Sequence, residues 1–263
     1  MPSLLDAHFH FGIEHPISTL GTSFDPSDAL PAGGIVNGTH PEDWPNVIEL
    51  AKRHPQFIPA LGIHPRKVNQ CPQDWLEHLQ AIPKPANYMI GEIGLDASPA
   101  FRSSLPTQIA IFAAQWQRAQ SQQRIAIIHC VRALGPLLKE ITSTPASRPF
   151  LMHAYSGPVD LIGQLIDLGA YFSFNLQQFH MRAKRIHSVI SAIPNNRILI
   201  ESDQDAMECI LVSQNSENSY QTKLRRSYQV VAEIRQQKIE SLIAQVERNF
   251  LQFLECPSGS SHS

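Results

Sequence analysis

The sequence predicts an α/β protein folded as a single (β/α)8 TIM barrel. Eight short apolar runs, rich in β-branched residues, alternate with helical patterns, and such alternation is typical of a parallel sheet. Eight repeats within 263 residues match the usual size of this barrel. A doubly wound open sheet is the alternative. It requires a glycine-rich first turn, and Gly12 and Gly21 lie too far apart to form GxGxxG.

The predicted strands are short and have apolar centres. They are Leu4–His10, Gly34–Thr39, Phe57–Ile63, Tyr88–Asp96, Ile125–His129, Phe150–His153, Ala170–Phe174 and Arg197–Ser202. Between and after them, apolar residues recur with the period of a helix. The predicted helices are a short start at Asp25–Leu30, then Trp44–His54, Asp74–Ile82, Pro106–Gln122, Leu134–Ile141, Val159–Leu168, Arg182–Ile193, Lys223–Arg235 and Ile239–Leu254. We expect one domain over residues 1–256 and a disordered, serine-rich tail at 257–263.

Composition and charge narrow the function classes. The formal net charge of −2 excludes a global positive field that would attract nucleic acid or membrane, so an anionic substrate needs a local basic patch. No apolar run is long enough to span a bilayer, and no basic region precedes an apolar stretch at the N-terminus. The four cysteines form no CxxC pair, which predicts reduced thiols. We therefore expect a cytoplasmic protein.

The stretch Asp6-Ala7-His8-Phe9-His10 is the first indication of a metal site. Alternate side chains of a strand share a face, so both imidazoles would point the same way and could bind one divalent ion. A nearby carboxylate can orient an imidazole by accepting its second N–H, and we expect this role for Asp6. The alternative is that the two histidines only fill a polar strand end.

Further histidines and acids occur at the ends of other predicted strands. In a barrel these ends meet on one rim, where active sites are built. The residues that share this placement are His8, His10, His64, Glu92, His129, His153 and Asp203. They exceed what one metal needs and suit two metals bridged by a carboxylate. The alternative is a polar plug that closes the barrel, but burying so many titratable groups without a metal is costly.

Several of these residues lie in motifs that together span almost the whole chain. The motifs are Asp6-Ala7-His8-Phe9-His10, Gly62-Ile63-His64-Pro65, Gly91-Glu92-Ile93-Gly94-Leu95-Asp96, Ile128-His129-Cys130, His153-Ala154-Tyr155-Ser156-Gly157 and Ile200-Glu201-Ser202-Asp203. With these motifs in this order, the chain resembles the TatD family of metal-dependent hydrolases, within the larger amidohydrolase barrel group. DxHxH alone is a weak signal, whereas GEIGLD in this order with the others is specific.

The resemblance implies a site for two divalent ions. The implied ligands of one ion are His8, His10, Glu92 and Asp203. The implied ligands of the other are Glu92, His129 and His153. Mixed histidine and carboxylate ligands admit Zn, Mn or Mg, so the metal stays open.

The chemistry of these ligands indicates a mechanism. Glu92 would bridge the ions, and metal binding would make water a nucleophile at neutral pH. Asp203 would act as base and then as acid to the leaving group. Glu201 is expected to be structural rather than catalytic. Family members are nucleases acting on DNA, and some relatives are deacylases acting on mischarged transfer RNA.

The chain departs from the family pattern in loops that are expected on the catalytic rim. The departures are Val131-Arg132 where the family usually has Arg and then an acid, Tyr155 where Phe is usual, Gln204-Asp205-Ala206 where a small residue and Pro are common, and Ala97-Ser98-Pro99-Ala100 without the usual aromatic start. Every implied ligand is kept. The departures therefore bear on the choice of substrate rather than on hydrolysis.

Basic residues follow several predicted strand ends, and we expect some of them to bind substrate. The candidate substrate-binding residues are His64, Arg66 and Arg132, with Lys67 and the group Arg182, Lys184 and Arg185 nearby in sequence. The last group could equally cap or flank a helix. We expect a phosphodiester substrate, with single-stranded DNA first. An ester or amide hydrolase (a deacylase or lactonase) is the alternative, and a binding protein without activity is a third.

Overall fold

The computed structural model describes residues 4–13, 30–82, 85–212 and 219–255, without the side chains at 180–183 and 212. The helix start predicted at Asp25 and the tail predicted at 257–263 lie outside the described residues. No helix in the described ranges combines the length and apolar character that crossing a membrane requires.

The strands follow one another around the barrel in chain order. They are β1 Leu5–Phe9, β2 Gly33–Asn37, β3 Phe57–Ala60, β4 Ile90–Asp96, β5 Ala126–Val131, β6 Phe150–Met152, β7 Ala170–Phe174 and β8 Ile198–Ile200. They form two parallel groups, β1-β2-β3 and β4-β5-β6-β7-β8. The carboxyl ends of all these strands therefore point toward the same rim.

Backbone hydrogen bonds join the two groups into a closed barrel. Between β3 and β4, the Leu61 N–H donates to the Met89 carbonyl at 3.0 Å. Between β8 and β1, the Asp203 N–H donates to the His8 carbonyl at 3.0 Å and the His10 N–H donates to the Gln204 carbonyl at 2.8 Å. The prediction of a (β/α)8 barrel is confirmed.

Helices cover the barrel after β2 and after each later strand. They are α1 Trp44–Arg53, α2 Trp75–Ala81, α3 Leu105–Ser121, α4 Leu134–Ser143, α5 Ile162–Asp167, α6 Leu176–Ala192, α7 Ala206–Val212, α8 Tyr220–Ile234 and α9 Ile239–Glu255. Helix α6 begins six residues before the predicted Arg182 because Asn175 and Gln178 form a capping box. Helix α7 was not predicted. Its signal was Asp205, whose carboxylate accepts the N–H groups of Met207 and Glu208.

Helix α3 carries two buried glutamines that fix the ends of β3 and β4. Gln115 accepts the Ile63 N–H at 2.7 Å and donates to the Ile63 carbonyl at 3.2 Å. Gln108 makes the same pair of bonds to Asp96, at 2.7 and 3.0 Å. Both side chains are fully buried, and Trp116 on the same helix packs in the core. A helix of the outer layer thus positions two segments of the rim.

Candidate metal centre

Glu92 lies at the centre of the histidine cluster on the rim. It belongs to β4 and is only 2% exposed. Its Oε1 atom lies 3.1 Å from His64 Nε2, 3.1 Å from His129 Nδ1 and 2.8 Å from His153 Nε2. Three imidazole nitrogens from three different strand ends therefore converge on one carboxylate oxygen.

The other oxygen of Glu92 faces the histidines of β1. Oε2 lies 3.4 Å from His8 Nε2 and 3.5 Å from His10 Nε2. The Asp203 Oδ1 atom lies 3.6 and 3.7 Å from the same two nitrogens, which are 3.2 Å apart. The two oxygens of Glu92 thus face two separate sets of donors, as a bridging carboxylate would.

The structure therefore brings all six sequence-predicted metal ligands together, and His64 joins them. The donor atoms form three groups, and within each group the atoms lie within 4.8 Å of one another. These groups are His8, His10 and Glu92; His8, His153 and Asp203; and His64, Glu92 and His129. Clustered imidazole nitrogens and carboxylate oxygens are the donor types that bind first-row divalent ions.

The tautomers of His10 and His129 fit metal binding. The Nδ1 atom of His10 lies 2.9 Å from the Asn37 carbonyl, which can only accept, so this nitrogen carries the hydrogen. The Nε2 atom of His129 lies 3.4 Å from an Asp96 carboxylate oxygen, which likewise accepts. In the neutral form of both rings, the nitrogen that faces the cluster is the one with the lone pair, as a metal ligand requires.

His64 has the opposite arrangement. Its side chain caps the short 3-10 helix Pro65–Gln70, because Nδ1 accepts the Arg66 N–H at 3.1 Å. A backbone N–H can only donate, so Nδ1 offers its lone pair and Nε2 carries the hydrogen in the neutral ring. His64 therefore presents an N–H to Glu92, and not a lone pair to a metal, although it is as close to Glu92 as His129 is.

Electrostatics in the cluster favour a cation. Burial opposes ionisation of Glu92, but the neighbouring histidine charges outweigh burial and hold its pKa well below the usual range. Against burial, a hydrogen bond with His10 and nearby histidine charges lower the pKa of Asp203 to about 2. The carboxylates in turn outweigh burial at His10 and raise its pKa to about 9. A divalent ion can replace the protons on the histidine rings, because a histidine must lose its proton from the coordinating nitrogen to bind a metal.

Glu201 is the buried acid that faces a histidine ring. Its Oε1 atom lies 3.5 Å from His153 Nδ1 and accepts a hydrogen bond of 2.8 Å from the Asn175 amide. Its other oxygen accepts the Ser173 hydroxyl. Glu201 is thus placed to keep the hydrogen of His153 on Nδ1 and its Nε2 lone pair toward the cluster. The supporting role expected for Glu201 stays a prediction.

The structure corrects the role expected for Asp6. Within the described residues, its carboxylate bonds to the backbone N–H groups of His8 and Ser202, both at 3.0 Å, and to the Tyr220 hydroxyl, rather than to a histidine ring. The side chain is short and turns back to the N–H two residues along the strand. Asp6 therefore joins β1 to the segment after β8 and to α8. Sequence reasoning could not find Tyr220, because it lies 214 residues away.

Asp96 is a functional candidate that sequence reasoning quoted only as part of a motif. It is fully buried at the end of β4. One oxygen, Oδ2, accepts the Arg66 Nε–H at 2.7 Å and faces His129 Nε2 at 3.4 Å. Its place after the apolar run Ile90–Leu95 was the available signal. Asp96 thus connects a predicted substrate-binding residue to a predicted metal ligand.

The other basic candidates are less closely tied to the cluster. Arg132 is exposed directly after β5, and within the described ranges it has no hydrogen-bond or ion-pair partner. Lys184 and Arg185 are exposed on α6, and the side chain of Arg182 lies outside the described residues. Of the basic candidates whose side chains the structure describes, Arg66 is therefore the one connected to the cluster most directly.

Three non-glycine residues near the strand ends that form the cluster adopt positive φ angles. Arg132, Ala154 and Asp203 have φ angles of 55°, 45° and 54°. They follow β5, β6 and β8. Asp203 belongs to the cluster, Ala154 comes directly after His153, and Arg132 comes three residues after His129. This conformation costs on the order of 1–3 kcal/mol per residue and concentrates at functional sites.

Comparison with known proteins decides the family. The model of the family described as TatD related DNase matches residues 5–255. The chain belongs to the TatD family. The crystal structure of YjjV, a TatD homologue from Escherichia coli K12, superposes with a TM-score of 0.80 at 23% identity and covers 97% of this chain and 98% of that one. The predicted family and the barrel are thus confirmed together.

Of two curated relatives, one is named for a protein interaction and the other for an enzymatic activity. The Cut9-interacting protein scn1 of Schizosaccharomyces pombe is 24% identical over 362 aligned positions, with 97% of this TatD chain and 99% of scn1 covered. The 3'-5' ssDNA/RNA exonuclease TatD of Salmonella typhimurium is 26% identical over 174 residues, with 65% and 66% covered. The family is thus one of metal-dependent hydrolases in which some homologues are nucleases.

Proposed function

We propose that this TatD family protein is a divalent-metal-dependent phosphodiesterase that cleaves single-stranded DNA with two bound ions. The observation that carries the proposal is the donor cluster around Glu92, with Arg66 held beside it through Asp96. The cluster provides ligands for metals, and the adjacent guanidinium provides a partner for a phosphate. The relative named as an exonuclease supports the same substrate class.

The two oxygens of Glu92 define the two proposed metal positions. Oε2 would share one ion with His8, His10 and Asp203, and Oε1 would share the other with His129 and His153. Bound there, divalent ions would supply an activated water and stabilise negative charge on the phosphate. Zn, Mn and Mg all remain compatible with this mixed donor set.

Asp203 is the proposed proton-transfer group. Its side chain is 27% exposed, whereas those of His8 and Glu92 are almost fully buried, so it is the ligand best able to meet a substrate. Against burial, a hydrogen bond with His10 and nearby histidine charges lower its pKa to about 2, so the carboxylate is ionised near neutral pH. In the proposed mechanism its exposed oxygen would take a proton from the attacking water. It would then return the proton to the leaving oxygen. The Asn175 amide, 3.4 Å from its Oδ2 atom, would keep the carboxylate in place.

His64 is proposed to donate a hydrogen bond to the anionic groups of the site. Burial lowers its pKa to about 4, so the ring is neutral near pH 7. Its Nε2–H faces Glu92 and would orient that carboxylate, or donate to a phosphate oxygen bound nearby. In this proposal His64 contributes to substrate binding together with Arg66 and Arg132.

The decisive experiment compares two substrate classes with and without metal. Purified protein is stripped with chelator, reloaded with Mn, Zn or Mg, and assayed on a thymidine oligonucleotide and on p-nitrophenyl acetate. We expect the loaded protein to cleave the oligonucleotide and the stripped protein to be inactive. KM should rise steeply with salt, because binding a polyanion releases counterions. Faster turnover of the neutral ester, without a salt effect on KM, would favour the ester or amide hydrolase instead.

A further inference from the structure

Asp96 makes more contacts than a residue that only fills the core requires. Its Oδ1 atom accepts the Ser98 N–H at 2.8 Å, and Oδ2 is shared between Arg66 and His129. Gln108 holds the backbone of Asp96 from both sides. Both carboxylate oxygens are thus occupied by directed contacts, in a side chain with no exposed surface.

The contact to His129 determines how that ring meets the metal site. Because Asp96 faces Nε2, the ring turns Nδ1 toward Glu92 at 3.1 Å. Carboxylates behind metal-bound histidines fix the tautomer and orientation of the ring, and their loss typically weakens metal binding about 10- to 100-fold. Asp96 is placed to act in this way.

The contact to Arg66 determines how the guanidinium faces solvent. Only Nε bonds to Asp96, and the guanidinium carbon lies 5.3 Å from the ring centroid of Phe101. Among the described residues the two terminal nitrogens have no hydrogen-bond partner, and 47% of the side chain is exposed. A guanidinium held by Nε and by an aromatic face can present its terminal nitrogens to a phosphate as a fixed pair of donors.

We propose that Asp96 is a positioning residue that couples metal binding at His129 to substrate binding at Arg66. The Oδ2 atom of Asp96 orients the side chains of Arg66 and His129. A change at Asp96 should therefore lower the affinity for the ion and the affinity for the substrate together. The Arg66 half of this inference rests on the proposed function, whereas the His129 half does not.

The test begins with ion affinity, which needs no substrate. Stripped protein is titrated with Mn²⁺ by calorimetry for the parent, Asp96→Asn, Arg66→Ala and the double variant. Asp96→Asn should weaken one of the two ions about 10- to 100-fold, and Arg66→Ala should leave both within a few-fold. Asp160→Asn, on an exposed site, is the matched control. Unchanged affinity in Asp96→Asn would overturn the coupling at His129.

The second measurement is KM for a thymidine oligonucleotide. At a Mn²⁺ concentration that saturates every variant, Arg66→Ala and Asp96→Asn should each raise KM about tenfold, and the double variant should be no worse than the poorer single variant, because the remaining effect of both acts through one contact. Arg66→Lys keeps the charge but cannot use Nε and the terminal pair together, so it should resemble Arg66→Ala. Effects that multiply in the double variant would overturn the coupling at Arg66.

Two further outcomes are distinguishable. If the parent binds ions but cleaves no phosphodiester, the proposed function fails, and the calorimetric comparison still decides the role of Asp96 at His129. The Arg66 contact is then tested by the same cycle in urea unfolding, where additive losses of stability would overturn it. If Asp96→Asn lacks the parent's far-UV circular dichroism, Asp96→Glu replaces it, since it keeps the charge and moves the carboxylate by one methylene.

Discussion

Glu92 and Asp6 are two buried acids of one barrel whose surroundings move their pKa values in opposite directions. Both are at most 2% exposed, so burial penalises the charged form of each. Imidazoles surround Glu92 and hold its pKa well below the usual range. Among the described residues, the partners of Asp6 are N–H and hydroxyl groups, and burial raises its pKa to about 7 despite them. The charge of the neighbouring side chains, rather than the degree of burial, therefore decides which of the two carboxylates is ionised and can bind a cation.

The strongest test of this contrast removes the charge of Glu92. We expect Glu92→Gln to lose both ions and to reduce phosphodiester turnover by more than about a hundredfold, because the amide keeps the shape but cannot bridge two cations. Elemental analysis and turnover measure the two effects. Glu240→Gln, at an exposed site on α9, is the control. A variant that keeps both ions would contradict the bridging role.

The next test removes the proposed proton-transfer group, Asp203, and keeps an amide oxygen that can still bind a metal. Asp203→Asn should retain much of the bound metal and lose at least about a hundredfold in turnover, the usual scale of general acid–base catalysis. Metal content and the single-turnover rate are measured on the same sample. Turnover within a few-fold of the parent would show that another group moves the proton.

A third test separates histidines that offer a lone pair from the one that offers N–H. His129→Ala and His153→Ala should each bind one ion fewer than the parent. His64→Ala should still bind two ions and show only a lower turnover rate. The exposed His187→Ala is the control, and far-UV circular dichroism checks the fold. Loss of an ion in His64→Ala, to the extent seen in His129→Ala, would contradict the tautomer assigned to His64.

The smallest expected effect concerns Asp6 and the pH dependence of stability. The folded pKa of about 7 exceeds the usual 3.8, so the folded state holds more protons between these values and its stability falls as pH rises through that window. Asp6→Asn removes this loss. Its free energy of unfolding, taken relative to the parent, should therefore be larger by a few kcal/mol at pH 8 than at pH 5, which means that the variant gains stability over the parent as pH rises. Urea unfolding at both pH values measures the difference, and a constant difference would refute it.

The barrel and the placement of seven polar residues at strand ends could be predicted because both follow from local pattern, whereas the choice of six of them as ligands came from the resemblance to the TatD family. Alternation along β1 puts His8 and His10 on one face, and parallel strands carry residues at their ends to one rim. The partners of Asp6 and the tautomer of His64 could not be predicted. Tyr220 reaches Asp6 only through the packing of α8, and the capping by His64 depends on the path of the backbone at Arg66.

The junction between β8 and β1 lies directly under the cluster. Backbone bonds from Asp203 to His8 and from His10 to Gln204 close the barrel there, and the Asp205 carboxylate holds the Gly12 and Ile13 N–H groups. An ion shared by His8 and Asp203 would cross-link segments almost two hundred residues apart in sequence. Closing so long a loop is entropically costly, and a ligand that binds only the closed form offsets that cost in proportion to its occupancy. Metal availability would then set how often the barrel opens at this junction, as well as how fast it turns over substrate.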